Sequence, residues 1–80
     1  MKSLSLEELK KVTFSYFNNE ISADEIFKWA AGINQQYASR ELEFTGSKKN
    51  MLDFIFELID LNDERFADSK EELMKKLNEL

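Results

Sequence analysis

The chain has 80 residues, 42% of them apolar and ten aromatic, which is enough for one small core and too much for a disordered tail. It contains no cysteine and no histidine. That excludes disulfides, thiolate zinc sites, cysteine nucleophiles, Ser-His triads and imidazole acid–base chemistry together. The net charge is −5, from 11 basic and 16 acidic residues, so nucleic acid and anionic membranes are repelled and a basic partner is attracted.

The first element opens at Ser5-Leu6-Glu7-Glu8, a capping box, with Leu4 and Leu9 at staple spacing around it. Leu6, Leu9, Val12, Tyr16 and Phe17 recur near helical spacing, predicting a helix over 6–17 that the poor helix formers Asn18 and Asn19 end. Ser22-Ala23-Asp24-Glu25 repeats the box. The stripe Ile26, Phe27, Ala30, Ile33 and Tyr37 follows, with Trp29 to one side. Gly32 inside this helix costs about 1 kcal/mol against alanine, and either permits close helix approach or simply weakens the helix.

Residues 39–49 lack helical periodicity. Leu42 and Phe44 alternate with charges and Gly46-Ser47 signals a turn. One isolated strand makes no sheet, so the segment is expected to be a loop that tucks Leu42 and Phe44 onto the helices. From Met51 to Leu61 the chain is apolar on nearly all sides except at Asp53, Glu57 and Asp60, the pattern of a helix at the centre of a bundle. Ser69-Lys70-Glu71-Glu72 is a third capping box, leading into Leu73, Leu77 and Leu80. The expected fold is all-α, a small four-helix bundle forming one domain over 1–80. Its expected core is Leu9, Val12, Phe17, Ile26, Phe27, Ala30, Leu52, Ile55, Ile59, Leu73 and Leu77.

Charge is unevenly placed. Residues 1–40 carry five basic and five acidic side chains, and residues 41–80 carry six and eleven, hence the whole −5. Between Asp53 and Glu72 eight acids meet two basic residues, a net of −6. Asp53, Glu57, Asp60 and Glu64 are spaced 4, 3 and 4, which puts them on one face if the helix runs a turn past Leu61; Asp63 and Asp68 lie beside them. The plain explanation is a solvated face, since a helix buried on three sides puts its charges on the fourth. Against it, no lysine is interleaved at i+4 within the stripe, so uncompensated repulsion is left for a partner to relieve.

Other chemistries fit poorly. Asp60, Asn62, Glu64, Asp68 and Glu71 have calcium-loop spacing, but Arg65 stands where the sharp turn wants glycine, and Ala67 where such loops usually carry a branched apolar residue. No metal is therefore expected, and millimolar calcium should not raise the melting temperature any more than sodium does; a selective rise would restore the calcium reading. Asp68-Ser69 resembles the modified pair of acyl carrier proteins, yet Lys70 follows it and the two helices that should come next are missing. There is no glycine-rich phosphate loop, and the acids form a stripe with no sign of a pocket. Neither enzymatic activity nor a cofactor is expected. No membrane span and no signal peptide are visible, which points to the cytoplasm.

The stretch Phe14-Ser-Tyr-Phe-Asn-Asn-Glu-Ile-Ser-Ala-Asp-Glu-Ile-Phe resembles the opening of the colicin D immunity family: a helix ending in an aromatic, a short turn, then Ile-Ser/Thr-Ala-x-Glu-Phe. The aromatic-rich 51–61, the acidic turn and the ending Glu72–Leu80, Glu-Leu-x-x-x-Leu-x-x-Leu, are similar too. The likeness leaves a gap at 38–50, the turn after the third helix is shorter than is usual in the family, and a Tyr-Cys-Pro-like element is absent. The resemblance implies a four-helix bundle that neutralises a tRNA-cleaving toxin by covering its basic cleft, with Asp53, Glu57, Asp60, Asp63 and Glu64 as contacting acids. Charge placement alone adds Asp68 to that surface. A different class of function, an interaction domain docking through an apolar patch such as Trp29 with Phe44 or Phe66, stands beside it; steep salt dependence separates the two.

Overall fold

The computed structural model describes residues 2–46, 48–62 and 69–80. In chain order these form strand β1 (Lys2–Leu4), helices α1 (Leu6–Phe17) and α2 (Ala23–Ala38), strand β2 (Leu42–Phe44), helix α3 (Lys48–Ile59), a 3-10 turn over Asp60–Asn62, and helix α4 (Lys70–Asn78). The architecture is all-α in its bulk, with four helices in one small domain.

Local chemistry sets the helix ends. Ser5, Ser22 and Ser69 each accept a hydrogen bond from the amide three residues on, at 3.1, 3.1 and 3.2 Å. At Ser22 the box is complete, because Glu25 Oε1 accepts from the Ser22 amide at 3.4 Å. The C-termini of α1 and α2 close alike. Glu20 N–H donates to Ser15 O at 2.8 Å and Asn19 N–H to Tyr16 O at 3.1 Å; Glu41 N–H donates to Gln36 O at 2.8 Å and Arg40 N–H to Tyr37 O at 3.1 Å. This is the Schellman pattern, and Asn19 and Arg40 both sit at φ 62°, where glycine is usual. Asparagine tolerates that region; arginine is strained there. Arg40→Gly is therefore expected to stabilise the fold by about 1 kcal/mol, read as a rise in melting temperature. An unchanged or lower Tm would contradict it.

The α2 turn delivers the chain to β2, and here the loop expectation for 39–49 is corrected. Leu42–Phe44 pairs in parallel with Lys2–Leu4, in the register Lys2 to Leu42 and Leu4 to Phe44. Lys2 N–H donates to Glu41 O at 3.1 Å and Thr45 N–H to Leu4 O at 3.0 Å. The strand partner is the N-terminal segment, whose Leu4 also stands at staple spacing before α1. Leu42 and Phe44 are buried as expected, and Phe44 stacks on Tyr37 with centroids 5.0 Å apart.

The core joins all the elements: Leu4, Leu9, Ile26, Ala30, Leu42, Phe44, Met51, Phe54, Ile55, Leu58, Leu73 and Leu77. Of the expected core, Val12, Phe17, Leu52 and Ile59 are only partly buried and pack against it, and Phe27 is likewise half-buried. The central position expected of α3 is also corrected. Met51, Phe54, Ile55 and Leu58 form one buried stripe, while Phe56 on another side is 44% exposed. The helix packs against α2 and α4 and leaves a face to solvent. Thr13, the buried polar residue of α1, donates its hydroxyl to Leu9 O at 2.8 Å, which removes the cost of burying it. Lys70 ties the start of α4 to the end of α1: its Nζ donates to Asn19 Oδ1 at 2.6 Å and lies 4.9 Å from the centre of the Tyr16 ring. Among the described residues Gly32 does not mark a helix crossing, because none of them lies within 4 Å of where its Cβ would stand.

Candidate functional site: the acidic face of α3

Three of the six candidate acids lie in the described part of the chain. Asp53 and Asp60 are exposed and Glu57 is half-buried. Asp53 and Glu57 are one turn apart on α3 and share a face. Asp60 does not continue that helix. The α-helix ends at Ile59, and Asp60 opens the 3-10 turn, so a single α-helical row through Asp60 is not formed. Asp63, Glu64 and Asp68 lie outside the described residues.

The face is also less bare of lysine than the sequence suggests. Glu57 Oε2 lies 3.1 Å from Lys76 Nζ on α4. Side-chain exposures of 32% and 43% make this a half-solvated pair, and such pairs stabilise by roughly 0–1 kcal/mol. Compensation comes from the neighbouring helix, a position that an i+4 search along α3 does not reach. A shallow cleft of about 300 Å³ lies around the pair, lined by Asp53, Phe54, Glu57, Lys76, Glu79 and Leu80 together with Asn50. Three acidic residues and one lysine thus line the cleft, and the lysine pairs with Glu57. Glu79 is the acid that sequence reading missed; its signal was the i+3 spacing from Lys76 on a helix assigned only to packing.

Among the described residues no group of three or more acidic side chains is placed to hold a metal ion. The calcium-loop positions Glu64, Arg65, Ala67 and Asp68 lie outside them. Ser69, of the carrier-like pair, serves as the N-cap of α4. Of the apolar patch considered as a rival surface, Phe44 is buried in the core, Phe66 lies outside the described residues, and Trp29 is half-buried. No helix among the described residues is long and apolar enough to cross a membrane.

Comparison of the chain with protein-family models, with curated proteins and with solved structures gives no match.

Proposed function

We propose that this domain is an immunity protein: it binds and blocks a basic nuclease toxin of the tRNA-cleaving type, and performs no chemistry itself. The observation that carries the reading is the concentration of charge. All of the net −5 falls in residues 41–80, and −6 falls between Asp53 and Glu72. The exposure of Asp53 and Asp60 supports it, as does the cleft that Asp53, Glu57 and Glu79 line together with a single lysine, Lys76. A row of carboxylates presents anionic oxygens to Lys and Arg donors much as phosphates do, so it can occupy a cleft built for RNA. The resemblance of residues 14–27 and 51–80 to the colicin D immunity family supplies the kind of partner, which charge alone does not. In this reading the four helices pack as a bundle, with Asp53, Glu57, Asp60, Asp63, Glu64 and Asp68 facing the toxin. Protection against a tRNA-cleaving toxin takes place in the cytoplasm, where tRNA is.

The test is genetic and direct. The reading frame adjacent to this one is expressed in cells with and without the domain. A basic nuclease domain whose toxicity the domain suppresses is the expected result. A neighbour without such a domain, or toxicity that the domain leaves unchanged, counts against the proposal.

A further inference from the structure

A second cleft, of about 490 Å³, lies between β1, α1 and α2, away from the acidic face. Five residues of α2 line it; four of them, Trp29, Gly32, Ile33 and Gln36, have the i, i+3, i+4, i+7 spacing of one helix face, and Lys28 lies beside them. Val12 of α1 adds to its apolar wall and Ser3 to its rim.

Two features of this cleft are unexplained by folding. Gly32 is a helix-weakening residue whose missing Cβ is required by no neighbour among the described residues, since none of them lies within 4 Å of where it would stand. Its effect is to leave the floor of the cleft open. One turn on, Gln36 Oε1 is buried and, among the described residues, has no hydrogen-bond partner. A buried acceptor without a donor destabilises the free protein; this one is closed to solvent, so a ligand N–H would satisfy it only once the Gln36 side chain turns toward the cleft that it lines.

The strand register adds a third feature. Lys2 N–H and Leu4 O are both bonded toward β2. Alternation along a parallel strand therefore turns the N–H and C=O of Ser3 to the opposite edge, and Ser3 is exposed. Among the described residues no other strand pairs with that edge, and an open edge beside an apolar pocket is the arrangement that accepts an added strand. The ionisable side chains lining the cleft are Lys2, Lys28 and Glu8, a net of +1 on a chain of net −5. The Lys28 ion pair with Asp24 is fully at the surface, at 73% and 65% exposure, and is readily exchanged for another carboxylate.

We propose that this cleft docks an extended peptide segment of a partner protein. The segment pairs with the Ser3 edge and places one apolar side chain over Gly32 against Trp29 and Ile33. It draws the Gln36 side chain toward the cleft, donates an N–H to its Oε1, and sets an acidic side chain near Lys2 or Lys28. This surface shares no residue with the acidic face, so the inference does not depend on the immunity reading.

A displayed library of random hexapeptides, selected on the intact protein, tests it. Enriched peptides are expected to share an apolar residue next to Asp or Glu. Trp29 is the only tryptophan in the chain, so a synthetic copy of an enriched peptide should change the intrinsic fluorescence on binding. Gln36→Met keeps the side chain's length and removes the acceptor. It is expected to weaken the peptide at least about tenfold while leaving Tm unchanged or raised, because the free protein loses an unsatisfied group. Gly32→Leu, which fills the floor, is expected to abolish binding, with circular dichroism reporting the fold. The proposal is overturned if no peptide is enriched over a blank surface. It is equally overturned if enriched peptides lack the acidic-apolar pair, or if they bind Gln36→Met and Gly32→Leu as well as the parent.

Discussion

Replacing Ile55 with alanine is expected to destabilise the domain by about 2–5 kcal/mol, the range for emptying a fully buried branched position. Ile55 has no exposed surface and lies on the α3 stripe that faces α2 and α4, so little around it can collapse into the space. A domain of this length is stable by roughly 4–12 kcal/mol, so the loss is a large share of the whole. At about 4–8 °C per kcal/mol, the melting temperature should fall by roughly 10 °C or more. Phe56→Ala is the control. Phe56 is one residue along and larger, yet 44% exposed, and its replacement should move Tm far less. Equal losses at the two positions would mean that α3 is buried all round, as its composition first suggests, and not on one stripe.

Reversing Asp53 and Asp60 to lysine is expected to weaken binding of the basic nuclease at least roughly a hundredfold, with each tenfold worth about 1.4 kcal/mol. Both carboxylates are exposed, so reversal should leave helix content and Tm nearly unchanged. Glu57 is a poorer choice, because Glu57→Lys would set two ammonium groups side by side where an ion pair now joins α3 to α4. Glu20 and Glu41 provide the comparison: both are exposed, both lie outside the helices, and neither belongs to the acidic face. Their double reversal changes net charge by the same amount and should alter affinity only slightly. Protection of cells against the toxin should follow the same order. If both double variants protect as well as the parent chain, the acids of α3 are a solvated surface.

What the sequence made legible was local. Three Ser-x-x-Glu boxes begin helices where expected, because a cap is a contact between residues three apart. The end of α1 at Phe17 follows from Asn18 and Asn19 in the same way. What stayed hidden depends on residues far apart in the chain. The parallel pairing of Lys2–Leu4 with Leu42–Phe44 joins two three-residue segments, each too short to show a period of its own. Arg40 in the left-handed region gives no residue-type signal of the turn it makes. On the candidate face, the exposure of Asp53 and Asp60 was readable from the apolar run around them. The pairing of Glu57 with Lys76 was not, because it crosses between two helices whose relative rotation no single-helix pattern contains. The position of Asp60 was missed for another reason: the α-to-3-10 change after Ile59 leaves no mark in a 3–4 spacing.

The central claim is the proposed one, that an acidic surface draws in a basic nuclease, and its most direct test is the association rate of this domain with a basic nuclease domain identified through the adjacent reading frame, measured at roughly 50 and roughly 200 mM salt. Attraction between the −6 segment and a basic cleft predicts fast association at low salt that falls steeply at the higher concentration, with a much smaller change in dissociation. An association rate that is the same at both concentrations would contradict the account.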